Sequence, residues 1–328
     1  MTDQESASAT AVIQPANAGY YDIPVIHGTH WNWLVTGYFY FGGISGASAA
    51  VGAFLRLFAG SSGAQLARIA TYVSFVSLLP CPVLLVLDLG RPARFWHMLR
   101  AFRPNSPMSM GTWGLTTFGL ISALTTGLQL LDDRSSRAGH CTGATWRAVG
   151  DVLALFSALS GLVVAGYTGV LLAATAVPLW SKRPALLGPL FLSSAMTSGA
   201  AAISAVAMGL EREEGDAFAR LRTLETLSTI AEESLLVMWI IALGPTTAKP
   251  ITEGRLGAVV RHGAVGGGMV IPLAISALLH HLPRRMRRTA TLVSAGLTLG
   301  GVLAVRSAVV MGGRLSADDP RATFELTG

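Results

Sequence analysis

Residues 184–210 read PALLGPLFLSSAMTSGAAAISAVAMGL, 27 residues without one charge. A helix needs about 20 predominantly apolar residues to cross the hydrocarbon core of a bilayer, so this stretch places the chain in a membrane. Seven further stretches have the same character: 31–59, 64–88, 109–131, 147–176, 217–244, 257–281 and 289–313. The spans at 217–244 and 257–281 are the least apolar. Composition agrees. Of 328 residues 51% are hydrophobic and 13% charged, and mean hydropathy is +0.52; soluble domains carry about 25% charged residues. The expectation is an all-α integral membrane protein with eight transmembrane helices.

The organisation follows: an N-terminal tail and approach segment at 1–30, one transmembrane domain at 31–313, and a C-terminal tail at 314–328. The stretch Met1–Gly19 is rich in Ala and Ser and carries Asp3 and Glu5. It has no basic stretch ahead of an apolar core, so it reads as a flexible tail with the first span as a retained signal anchor, not as a cleaved leader. No internal repeat is visible. Eight crossings put both termini on one face, side A, with the loops at 89–108, 177–183 and 245–256. Side B holds 60–63, 132–146, 211–216 and 282–288. The last contains Pro-Arg-Arg-Met-Arg-Arg at 283–288. The positive-inside rule then makes side B cytoplasmic and leaves the termini on the non-cytoplasmic side of the cell membrane. The net charge of +6 reads as loop charge that sets orientation, not as a nucleic-acid surface.

Several chemistries are argued against. The only cysteines are Cys81 and Cys141, and an iron–sulfur cluster takes about four cysteine ligands. Cys81, between Pro80 and Pro82, reads as a small buried apolar residue. Bis-histidine haem needs histidines facing each other across a bundle, whereas the seven here lie near helix ends or in loops. No metal-ligand spacing, phosphate loop or nucleophile triad stands out. Gly42, Gly46 and Ala50, and likewise Gly161, Ala165 and Gly169, are small residues at four-residue steps, which read as helix contacts.

Ionisable groups inside a bilayer are expensive and face a partner or a cavity. Asp88 ends the second span at side A. Tyr167 lies in the A-side third of the fourth. The sixth carries Arg222 and Glu225 near side B and Glu232 and Glu233 just past its centre. Arg261 is near the A end of the seventh span, and Arg306 lies in the A-side third of the eighth. His27, His30 and Asn32 approach the first span from side A. Arg94, Trp96 and His97 read as interfacial anchors, and Arg222 with Glu225 as an i, i+3 ion pair. Glu232 and Glu233 point about 100° apart, so both cannot face lipid cheaply. At least one is expected to meet Arg261 or Arg306, or to line water; a structural ion pair and a proton relay both stay open.

Three motifs then carry a resemblance. Leu87-Asp88-Leu89-Gly90-Arg91-Pro92 is followed by Ser106-Pro107-Met108-Ser109-Met110-Gly111-Thr112-Trp113. Tyr167-Thr168-Gly169-Val170-Leu171-Leu172 runs on to Pro178-Leu179-Trp180. Tyr20-Tyr21-Asp22-Ile23-Pro24-Val25-Ile26 precedes Tyr38-Phe39-Tyr40-Phe41-Gly42-Gly43. Together they resemble the membrane subunits of the NrfD/PsrC (polysulfide reductase) family over the first four spans. The resemblance implies two four-helix bundles and a quinone, menaquinone or ubiquinone, bound near one face as substrate. It also implies a docked, four-cluster ferredoxin-like iron–sulfur subunit that serves a molybdopterin catalytic subunit. It makes Tyr167 the phenol that holds a quinone oxygen, with His30 and Asn32 the nearest matches to the helping residues of the first helix.

The residues themselves suit such a ligand. A quinone needs an apolar slot with one or two donors, which a Tyr hydroxyl and a His supply. Asp88 and Arg91 would shape the slot, and Glu225, Glu232, Glu233, Arg261 and Arg306 would form a proton path. The function expected is a quinone-reactive membrane anchor of a multisubunit oxidoreductase, without activity alone. The rival is a secondary transporter with a charged mid-membrane site, which calls for broken helices facing each other at the midplane. Pro80-Cys81-Pro82 is one candidate break.

Overall fold

The structure, a computed structural model, describes residues 31–100, 102–138, 143–210 and 215–319, the side chains of Arg94, His280 and Arg284 aside. His27, His30, His140, Cys141 and the 20–26 motif lie outside these.

Eight helices are long and apolar enough to cross a membrane: α1 Trp33–Phe58, α2 Gly60–Asp88, α3 Pro107–Arg137, α4 Ala144–Ala173, α5 Pro184–Gly209, α6 Asp216–Thr252, α7 Gly254–Leu278 and α8 Arg285–Ala317. There is no strand among the described residues. Local chemistry sets several ends. Asn32 Oδ1 accepts from Leu34 N at 2.8 Å and starts α1. Ser106 Oγ accepts from Ser109 N, with Pro107 in the first turn of α3. Both are N-caps that satisfy otherwise orphaned donors, and proline is tolerated in a first turn because it has no N–H to lose.

Three departures from the sequence reading have physical causes. Leu79 keeps helical dihedrals (φ −54°, ψ −39°), so Pro80-Cys81-Pro82 does not unwind α2 and offers no broken helix. The break lies instead in α6 at Gly244 (φ 77°, ψ 168°), a conformation open essentially to glycine alone. After it the chain, expected to be loop from 245, stays helical to Thr252. The loop at 89–108 likewise contains a short helix, Phe95–Arg100. At the C-terminal end α8 continues to Ala317, four residues past the expected boundary.

α1 and α5 are the most enclosed spans. The first packs against α2, α4 and α5, and α3 packs against α4; α5 packs against α6 and α8, and α7 against α8. Small residues permit the closest approaches. A Cβ on Gly46 would strike the Gly161 carbonyl of α4, one on Gly169 the Leu187 carbonyl of α5, and one on Gly268 of α7 the backbone of Gly301 of α8. In lipid such packing replaces the missing hydrophobic drive between helices.

Candidate functional site at the A end and the buried charges beneath it

The A ends of α1, α2, α3 and α4 bring the sequence-marked residues together in two pairs. The Asn32 side chain, besides capping α1, reaches the carboxylate of half-buried Asp88 at the end of α2. Tyr167 on α4 donates its hydroxyl hydrogen to the Pro107 carbonyl at the start of α3, at 2.7 Å. Its ring lies over Gly111, where a Cβ would come within 3.1 Å of Cε1. The glycine one turn into α3 is therefore what lets the phenol reach the first turn of that helix.

Tyr38, buried in α1, stands beside Tyr167 and Cys81. Cys81 is a fully buried free thiol whose Sγ lies 4.0 Å from the Tyr38 carbonyl. The sequence reading did not single out Tyr38 as a site residue; its only signal was membership of the aromatic run at 38–41. Tyr167 is only partly covered. Val163 and Val170 of its own helix, and Met108 and Met110 of α3, are all exposed on the outer surface. The hydroxyl thus lies at a surface of α3 and α4 that carries exposed apolar side chains. Arg91 is exposed, and Trp96 is 65% exposed, as suits groups at a headgroup boundary.

A second polar centre lies deeper, where α6 and α8 meet α1. Glu232 of α6 and Arg306 of α8 are both fully buried. They face each other without an ion pair inside 4 Å. Arg306 Nη1 donates to the Phe39 carbonyl at 2.6 Å, and the guanidinium lies 5.4 Å from the Phe191 ring centroid. The Ser194 and Thr197 hydroxyls border Glu232, yet neither carboxyl oxygen has a well-formed hydrogen bond.

Of the expected proton-path residues, Glu232 and Arg306 therefore meet. Glu225 lies toward side B with Ser204 Oγ 3.4 Å away. Glu233 is half-buried on another face. Arg261 is not part of this centre. It is exposed and donates to the Thr252 carbonyl at 3.2 Å, closing the turn between α6 and α7.

At side B a network that sequence reasoning passed over joins four helices. Arg56 Nε donates to Asp151 at 2.6 Å and Nη1 to Gln129 at 3.2 Å. Gln129 Nε2 and the Tyr72 hydroxyl both donate to Asp133, at 2.9 and 2.7 Å. Polar residues at helix ends were its only trace in the sequence, and pairing across helices is invisible there. Among the described residues no three His, Cys, Asp or Glu side chains gather as a metal site.

The family model described as Polysulphide reductase, NrfD matches residues 25–317. The chain belongs to the NrfD family. A polysulfide reductase component of Wolinella succinogenes is 22% identical, over 87% of this chain and 94% of its own length. Protein NrfD of Escherichia coli K12 is 24% identical, over 87% and 95% respectively. A selenate reductase subunit of Mesobacillus selenatarsenatis is 32% identical over 79 residues, which cover 24% of this chain and 18% of that protein. The NrfD match runs through all eight spans, so it takes in the α6–α8 half, where the sequence motifs are weakest.

Proposed function

We propose that this chain is the quinone-reactive membrane subunit of a multisubunit oxidoreductase. It exchanges electrons between a bilayer quinone and an iron–sulfur subunit docked on side A, which serves a molybdopterin catalytic subunit. It sits in the cell membrane with side B in the cytoplasm and has no activity alone. Two of its relatives bear the names of single components of reductases, one for polysulfide and one for selenate, and this supports a place in a larger complex.

The observation that carries the reading is the phenol of Tyr167, at a surface of α3 and α4 that carries exposed apolar side chains, and fixed to the Pro107 carbonyl. A quinone dissolves in the bilayer and presents only two carbonyl oxygens; reduction takes two electrons and two protons. With its hydrogen given to Pro107, the Tyr167 oxygen still has lone pairs and accepts from a quinol hydroxyl. To hold the oxidised form it turns that hydrogen from Pro107 to the quinone carbonyl. The same residue therefore serves both redox states through one rotation of the O–H bond. Asn32 and Asp88 stand at the same end, where a carboxylate takes up or releases the protons of the reaction.

The test is Tyr167→Phe in the assembled complex. Quinone-linked turnover should fall while subunit assembly and turnover with an artificial electron carrier persist. Undiminished quinone-linked turnover would count against the reading.

A further inference from the structure

A crevice opens on side B among α6, α7 and α8. Arg222, Glu225 and Thr229 line it from α6, Ser276 from α7, and Thr291 and Ser294 from α8. It includes a cavity of about 20 Å³, which admits at least one water molecule. Its polar lining continues inward. On α6, residues 222, 225, 229 and 232 recur at three- and four-residue steps, and so do 291, 294 and 298 on α8, with Arg306 two turns further; each set lies on one helix face. The polar face of α6 therefore runs from the B half of the bundle to Glu232, beside a polar face of α8 that reaches Thr298 and is followed by buried Val302 and Val305 before Arg306. By helix rise Glu232 and Arg306 lie about 18 and 17 Å from Gly244 and Ala317 at the A end, well inside the hydrocarbon layer.

Along this seam Thr291 Oγ1, Thr298 Oγ1 and Arg306 Nε and Nη2 are buried and unpartnered, and the Glu232 oxygens have no well-formed hydrogen bond beyond the bordering Ser194 and Thr197 hydroxyls. Lipid supplies no hydrogen bonds, and each unsatisfied group costs kilocalories. Groups of this kind that share one seam open at a polar mouth are satisfied by ordered water. On the A side of the pair stand Phe39, Phe191, Leu236, Trp239 and Val309, each at most 2% exposed, with the Trp239 indole N–H buried and without a partner.

We infer that the α6–α8 seam is a water-bearing half-channel that carries protons between side B and Glu232. The transfer is a relay of hydrogen-bond exchanges: hydronium at the mouth gives up a proton, waters and Thr or Ser hydroxyls pass it inward as donors and acceptors at once, and the Glu232 carboxylate becomes a carboxylic acid. No electron moves. The charged group that bears on Glu232 is Arg306 from α8, and Tyr40 of α1 faces Arg306; nearer the mouth, on the same helix as Glu232, Glu225 faces Arg222. The inference rests on the proposed function only for what drives the protons, namely quinone turnover.

The test follows the Glu232 carboxyl directly. The full-length protein is placed in nanodiscs, subjected to a pH jump, and observed by time-resolved infrared spectroscopy of the protonated-carboxyl band that Glu232→Gln removes. Thr298→Val and Thr291→Val, which block the relay without changing side-chain shape, should slow the appearance of that band at least tenfold, and Thr298→Ser should restore it. In vesicles carrying the protein in one orientation, a jump on side B should titrate the band and a jump on side A should not. Equal rates in the valine variants, the absence of any band that Glu232→Gln removes, or titration from side A would each overturn the inference. Quinone is not used in this measurement, so its failure is distinct from a failure of the Tyr167 test.

Discussion

Arg306, on the last spanning helix, donates from Nη1 to the backbone carbonyl of Phe39 on the first, at 2.6 Å. The contact joins the first spanning helix to the last through a residue with no exposed surface. It needs space on α1, and Gly43 provides it: a Cβ there would fall 2.6 Å from Nη2. A cation in this place is retained at a cost, since a buried charge without full hydrogen bonding is destabilising. Its persistence beside Glu232 is why the pair reads as a working group as well as a tie between helices.

Gly43→Ala should push the guanidinium off Phe39 and lower stability by about 1–3 kcal/mol, the range for overpacking a tight core. Gly114→Ala, where a Cβ meets nothing within 4 Å, is the matched control. Thermal unfolding in detergent compares them; equal midpoints for the two variants would remove Gly43 from this role.

Gly111→Ala should act on the proposed quinone site through Tyr167, because its methyl would crowd the ring at 3.1 Å from Cε1. Displacing the phenol from Pro107 is expected to weaken a single neutral hydrogen bond to the proposed substrate, about 0.5–1.5 kcal/mol, or about twofold to thirteenfold in apparent affinity. The readout is KM for quinol in the assembled complex, with the unfolding midpoint held as a check on global damage.

Trp180→Phe removes the indole N–H that donates to the Val309 carbonyl at 2.9 Å in a fully buried position. The Val309 carbonyl keeps its helical N–H partner within α8, so the loss is that of one further hydrogen bond, about 0.5–1.5 kcal/mol, together with the void that the smaller ring leaves beside Gly313. The midpoint of unfolding should drop by more than for Trp96→Phe, whose indole is 65% exposed.

Orientation can be read by labelling. In a cysteine-free background, a cysteine at Arg285 should react with a membrane-impermeant reagent only after cells are opened, whereas one at Arg91 should react in intact spheroplasts. The reverse pattern would invert the assignment of side B to the cytoplasm.

The legibility of the chain was uneven for definite reasons. Span existence depends on apolar length, a property of each segment alone, so all eight could be found at 31–313, with ends off by as much as eight residues where α6 runs on to Thr252. Helix continuity depends on single dihedrals: Pro80 looked like a break and is none, while Gly244, hidden in an apolar run, takes φ 77°. Tyr167 was legible as a motif residue, but its hydrogen-bond partner Pro107 and the space over Gly111 were not, because they join α3 to α4 across 60 residues.

The sequence by itself determined that this protein lives in a bilayer, how many times it crosses, and which costly polar residues it carries there, since each follows from composition and spacing along one helix. Only the tertiary structure decided that Arg306 belongs with Glu232 and Phe39 while Arg261 turns away to cap α6. Which charge meets which is set by how helices pack in three dimensions, and spacing along the backbone holds no record of that.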